Sequence, residues 1–163
     1  MPGERSTALV RQPDPLPDDL VEDIETATQA LVAVWMRGAE SIRPKVSASQ
    51  LRALIVVDRH SSINLMGLAD ELGSIPSVTS RLCDRLQAAG LLVRRTSEGD
   101  RREVVLQLSK DGRRLLRQLH RERQSDLAVV LQAMSSRNRN ALLAGLNAFY
   151  TAAEATLPEE KLA

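Results

Sequence analysis

Six arginines (81, 85, 94, 95, 101 and 102) fall between Ser74 and Arg102, against the acids Asp84, Glu98 and Asp100. Arginine presents a planar fork of donors that matches guanine edges and phosphate oxygens. The stretch carries a balance of +3 in a chain whose formal net charge is +1, so the positive charge is a local footprint. Two clusters within it have the spacing of a recognition surface. In the first, Thr79, Leu82, Cys83 and Leu86 recur at i, i+3, i+4 and i+7 and make the inward face of a helix. Ser77, Val78, Ser80, Arg81, Asp84 and Arg85 are left on its outward face. The small hydroxyls permit close approach to a groove, Arg81 and Arg85 supply forked donors, and Val78 suits a thymine methyl. In the second, Asp100-Arg101-Arg102 lies at a hairpin tip. Arginine there is drawn to the negative potential of a narrow minor groove, and Asp100 can fix the loop by pairing with a neighbouring arginine. Each cluster alone also fits a plain solvated surface, a charged helix face or a polar hairpin end.

Other chemistries are poorly served. The single cysteine, Cys83, allows no intrachain disulfide and no thiolate zinc cluster. Its inward position reads as packing rather than as a redox sensor. His60 and His120 are isolated. No Ser/His/Asp set or glycine-rich phosphate loop is present, so no catalytic residue, metal or cofactor is expected. Trp35 and His60 are candidates for lining a pocket for a small aromatic or apolar effector. The alternatives are core or interface for Trp35 and a helix-end surface position for His60. Arg113, Arg114, Arg117, Arg121 and Arg123 read as a solvated or salt-bridged face of a long helix. With no apolar run of membrane-spanning length and no signal-peptide pattern at the N-terminus, the expectation is a cytoplasmic protein without a membrane partner.

These side chains must be positioned by a mainly helical scaffold. Apolar residues make up 43 % of the chain but aromatics only 2 %, so a Leu/Val/Ala core of packed helices is expected. Residues 1–15 hold Pro2, Gly3, Pro13 and Pro15 without apolar period and read as a disordered arm. The first thirty residues carry a balance of −5. A helix is predicted from near Asp18, with Leu20, Ile24, Ala27, Leu31, Val34 and Trp35 along one face, ended by Pro44. Ser47 and Gln50 form a capping box before a second helix that reaches about Arg59. Asn64 caps a short third helix stopped by Gly73, and a fourth runs from Pro76 to about Ala89, stopped by Gly90. Leu91–Thr96 and Arg102–Leu108 read as a β-hairpin. Ser109 caps a long helix bearing Leu115, Leu116, Leu119, Leu127, Val130, Leu131 and Met134. Ser135 or Ser136 caps a last helix, striped by Leu142, Leu143, Leu146, Phe149, Tyr150 and Ala153, that ends at Pro158.

A short helix, a tight turn, a second helix and then a hairpin is the order of a winged helix-turn-helix. The runs Ser49-Gln50-Leu51-Arg52-Ala53-Leu54, Leu68-Ala69-Asp70-Glu71-Leu72-Gly73 and Pro76-Ser77 stand in that order. Ser80-Arg81-Leu82-Cys83-Asp84-Arg85-Leu86, Gly90-Leu91 and Asp100-Arg101-Arg102 follow them. Together they resemble the MarR family of bacterial transcriptional regulators over residues 18–157. The resemblance implies a homodimer whose first and last two helices form the dimerisation region, a pseudo-palindromic operator, and often release by a small molecule or a redox signal. On this reading 16–45 is a dimerisation helix, 46–108 the DNA-binding region and 109–163 linker and dimerisation helices. Two exchanges depart from the family pattern: Ser74 with Ile75 before the proline, which affects the helix cap, and Val78 with Thr79, which affects base preference. The peroxide-sensing branch carries its reactive cysteine in the first helix, where this chain has none. The expectation is a sequence-specific DNA-binding repressor. The alternative is a winged-helix dimer that acts through protein contacts without binding DNA, against which Arg81, Arg85, Arg101 and Arg102 count.

Overall fold

In the computed structural model, residues 16–17, 19–60, 62–96 and 104–156 are described. They contain, in order, helices α1 (Leu20–Ser41) and α2 (Ala48–His60), strand β1 (Ile63–Asn64), helices α3 (Leu65–Leu72) and α4 (Pro76–Ala88), strands β2 (Leu92–Thr96) and β3 (Val104–Leu108), and helices α5 (Lys110–Ala133) and α6 (Ser136–Thr156). The chain divides into two units, residues 1–33 and 34–163. In the first, the opening of α1 carries Glu22 and Asp23 in its first turn, where negative charge suits the helix dipole. Its apolar residues Leu20, Val21, Ile24 and Val32 are exposed. The expected arm, residues 1–15, lies outside the described residues.

The second unit is built around one core. Leu51, Ala53, Leu54 and Val57 of α2, Leu68 of α3, and Leu82, Cys83 and Leu86 of α4 meet there. Leu91, Leu92, Leu106 and Leu108 close it from the sheet, and Leu115, Leu116 and Leu119 from α5. Burying each such side chain contributes roughly 1.5–3 kcal/mol before entropy is counted.

Local chemistry sets the element ends. Gln50 Oε1 accepts from the Ser47 N–H at 2.8 Å while Ser47 Oγ accepts from the Gln50 N–H at 3.2 Å, a reciprocal capping box. Asn64 Oδ1 accepts from the Gly67 N–H at 2.8 Å. Two helices stop in the same way. Gly73 has φ +61° and Gly90 φ +71°, backbone that a side chain disfavours. The following amides, of Ser74 and Leu91, reach back to the Ala69 and Leu86 carbonyls.

The sheet is antiparallel in the order β1-β3-β2, with Leu92 opposite Leu108 and Thr96 opposite Val104. The expected hairpin is therefore joined by a third strand, which pairs Ile63 with Leu106 and Asn64 with Val105. Two residues are too few to show an alternating pattern in sequence. Ser109 then ties the sheet to α5. Its hydroxyl donates to the Gly90 carbonyl at 2.6 Å and accepts from the Gly112 N–H at 2.9 Å, and its own N–H donates to the Leu91 carbonyl. The packing is so close that a Cβ on Gly112 would land on the Leu91 carbonyl oxygen. At the other end of α5, Ser135 Oγ accepts from the Asn138 N–H, so Ser135 caps α6. The last helix is described as far as Thr156; Pro158 lies outside the described residues.

Candidate nucleic-acid interface

α3, the turn at Gly73 and α4 form the helix-turn-helix, with β2 and β3 as the wing behind it. Thr79, Leu82, Cys83 and Leu86 all point into the core. Ser77, Val78, Arg81, Asp84 and Arg85 are exposed, and Ser80 is half-buried. The outward row therefore presents two hydroxyls, one apolar side chain, two cations and one carboxylate on a helix whose other face is anchored. Arg85 Nε donates to the Arg81 carbonyl at 3.3 Å, which lays its guanidinium back along the helix. Neither Arg81 nor Arg85 forms a salt bridge with another described residue. Asp100, Arg101 and Arg102 lie outside the described residues, as does the whole tip 97–103.

The exchange of Ser74 and Ile75 has a visible outcome. Ile75 is the N-cap of α4 and makes no side-chain cap hydrogen bond. Two devices limit the damage. Pro76 at the first helical position has no N–H to satisfy. The Ile75 carbonyl accepts from both the Val78 and the Thr79 N–H, each at 3.1 Å. Only the Ser77 N–H in this first turn is left without a partner among the described residues, and Ser77 is exposed. Such a free amide at a helix N-terminus suits a phosphate oxygen.

An ion pair not foreseen from sequence joins reading helix to wing. Arg94 on β2 donates to Asp84 Oδ1 of α4 at 2.7 Å. Of the segment's arginines, Arg94 is thus partly neutralised and given a structural task. Cys83 is fully buried. Burial pushes its thiol up, Arg94 pulls it down and Asp84 adds to the rise. The thiolate is suppressed, in line with a packing role.

The effector candidates are placed apart. His60 pairs with Glu71 of α3 at 3.1 Å. Trp35 lies under the Arg123 guanidinium, 4.2 Å from ring centroid to Cζ. A cleft of about 430 Å³ is lined by Met36, Ala39, Glu40, Val46, Ala48, Leu51, Arg52, Ile55, Val56, Arg59 and Arg123. Neither Trp35 nor His60 lines it. Arg123 departs from the expectation of a solvated or salt-bridged basic face on α5. Its Nε is buried without a hydrogen-bond partner, and burial lowers its pKa from the ordinary arginine value. The helix period held the signal, because Leu116, Leu119 and Arg123 follow at i, i+3 and i+7. Gly38 makes room for it, since a Cβ there would press on the Arg123 Cγ and backbone N. Arg114 pairs with Asp111 at 2.7 Å and Arg113 donates to the Leu108 carbonyl at 2.8 Å, while Arg117 and Arg121 are exposed.

Among the described residues, no group of three His, Cys, Asp or Glu side chains could hold a metal ion, and no helix is long and apolar enough to cross a membrane. The model of the MarR family matches residues 45–103, the stretch that contains α2, the helix-turn-helix and the first strand of the wing. The chain belongs to the MarR family. Membership makes it a DNA-binding transcriptional regulator of the winged helix-turn-helix type and not an enzyme. The crystal structure of RV1404 from Mycobacterium tuberculosis is 31 % identical to this MarR-family chain, with a TM-score of 0.78 over 88 % of this chain and 98 % of that one. The HTH-type transcriptional regulator YfiV of Bacillus subtilis is 29 % identical over 116 residues, 71 % of this chain and 72 % of YfiV. The HTH-type transcriptional repressor MdtR of Bacillus subtilis is 30 % identical over 97 residues, 58 % of this chain and 63 % of MdtR.

Proposed function

We propose that this chain is a cytoplasmic homodimeric repressor that binds a pseudo-palindromic operator and is released by a small aromatic or apolar effector. The observation that carries the reading is the outward row of α4. Ser77, Val78, Arg81 and Arg85 stand exposed on a helix fixed by four core side chains. In a DNA complex that row, with Ser80, enters the major groove, and Asp100, Arg101 and Arg102 bring the wing to the minor groove. Residues 46–108 serve DNA binding, and the terminal segments 16–45 and 109–163 serve dimerisation. The repressor role follows the likeness to MdtR.

The effector reading rests on the cleft beside α2. Its walls are mostly apolar, and Arg52, Arg59 and Arg123 outweigh the single acid Glu40. Such a site suits a flat apolar acid. Trp35 would act by holding Arg123 in place, and His60, paired with Glu71, stands outside the cleft.

The test is fluorescence anisotropy with the duplex upstream of the protein's own gene and with random duplex, at physiological salt. Tight binding to the first is expected. Arg81→Ala should lose roughly 5- to 150-fold on the operator, the worth of one forked base contact. Arg101→Ala with Arg102→Ala should weaken binding to all sequences and flatten the salt slope by about one unit for each phosphate no longer neutralised. A wild-type protein that treats both duplexes alike would transfer the case to the protein-contact alternative.

A further inference from the structure

The N-cap of α4 is occupied by a residue that serves the helix badly. Ile75 makes no cap hydrogen bond there. Isoleucine ranks among the poorest N-caps, and Ser74, a good one, stands one position away. Nor does Ile75 gain by burial, because 63 % of it is exposed. Val78 is likewise 50 % exposed. The two are the N-cap and N3 positions of the reading helix, whose side chains lie near each other at a helix N-terminus. They are flanked by Ser77 and Arg81, both exposed and polar. An apolar ridge two residues wide inside a polar row is too small for a protein partner. It matches methyl groups on base pairs one or two steps apart, since the strand repeat is about 3.4 Å. A local rule broken at an outward position of a reading element marks function.

We infer that Ile75 and Val78 form an apolar leading edge of α4 that reads two thymine 5-methyl groups in each operator half-site. The inference rests on the DNA-binding reading above and adds Ile75, which sequence period alone did not place on the surface. Ile75 trades helix stability for base discrimination, so the two properties move in opposite directions on substitution.

The experiment uses the full-length protein and its operator, located by footprinting on the upstream duplex. Each thymine of one half-site is replaced singly by deoxyuridine, which deletes only the 5-methyl. Wild type should lose about three- to fourfold in affinity at two positions, the worth of one buried methyl. Ile75→Ser should remove the sensitivity at one of them and Val78→Ala at the other. Ile75→Ser, by supplying a cap, should also raise the thermal midpoint by about 2–4 °C. Ile75→Ala tests the same methyl without adding a cap. A wild type that discriminates operator from random DNA yet ignores every deoxyuridine overturns the inference. One that shows no discrimination rejects the DNA-reading head itself, and this edge with it.

Discussion

In α2, Ala53 and Leu54 have no exposed surface, whereas in α6 Phe149 is 67 % exposed and Leu143 60 %. Both helices are amphipathic in sequence. The difference is that α2 finds its partners within the second unit, in α3, α4, the sheet and α5. α6 buries only Ala153, and the C-terminal half of α5 leaves Val129 and Val130 exposed. Apolar surface on this scale is not left to water by a stable protein. The helix-turn-helix packs within one chain; on the homodimer reading proposed above, the apolar faces of α5 and α6 are covered by a second copy.

Placing a charge on α6 strikes at this contrast most directly. Phe149→Asp should dissociate the dimer and, with it, remove the joint engagement of two half-sites, worth a hundredfold or more in affinity, by an order-of-magnitude estimate. Sedimentation of the variant at micromolar concentration checks the first part. A dimer unchanged by that substitution would place the interface elsewhere.

The head should fail differently, at its tightest contact. Gly112→Ala forces a Cβ onto the Leu91 backbone carbonyl, which no side-chain rotation relieves. We expect a loss of about 3 kcal/mol or more, read from the denaturant midpoint, with the oligomeric state of the folded fraction unchanged. Gly145 of α6 meets nothing within 4 Å of an added Cβ, so Gly145→Ala is the matched control and should be neutral or stabilising.

How much of this is legible in sequence follows the range of the interactions. Ser47, Asn64, Gly73, Gly90 and Ser109 are readable as punctuation because a cap or a stop acts within five residues. The inward face of α4 is readable because its period is unbroken. Arg123 reads as part of a solvated or salt-bridged face, and the structure half-buries it with its Nε enclosed. Its place on the Leu119 line is visible, but the ring and glycine that receive it lie some 85 residues away, by roughly counting from Trp35 and Gly38. The Asp84–Arg94 pair spans a helix end, a turn and a strand start, and no periodicity links those positions. For Ile75 the sequence shows an anomaly, and the bifurcated Ile75 carbonyl explains how the helix tolerates it.

A finer contrast lies inside α4. Thr79 faces the core, and its Oγ1 is buried without a hydrogen-bond partner. The carbonyl to which a helical threonine would ordinarily back-bond, that of Ile75, already accepts two amides. Thr79→Val keeps the shape and removes the unsatisfied hydroxyl. It should stabilise the fold by about 1 kcal/mol in thermal or denaturant unfolding. A destabilised variant would mean that the hydroxyl has a partner, such as a buried water, worth more than the added methyl.

The smallest expected effect concerns the Asp84–Arg94 pair, and it separates stability from function. Both side chains are well exposed, 57 % and 38 % respectively, so screening by water and salt limits the pair to about 0.2–1 kcal/mol. A double-mutant cycle of Asp84→Asn and Arg94→Gln should return a coupling in that range at low salt and less at high salt. Its effect on DNA binding should be more complex. The pair ties β2 to α4, and on the proposed DNA-binding reading it would set where the wing stands with α4 in the groove. Asp84→Asn frees the Arg94 cation and removes a negative charge from the outward row. Binding to random duplex should therefore strengthen through phosphate attraction, while the preference for operator falls because the wing is less firmly placed. If operator and random duplex gain equally, the pair is an electrostatic accessory with no part in aligning helix and wing.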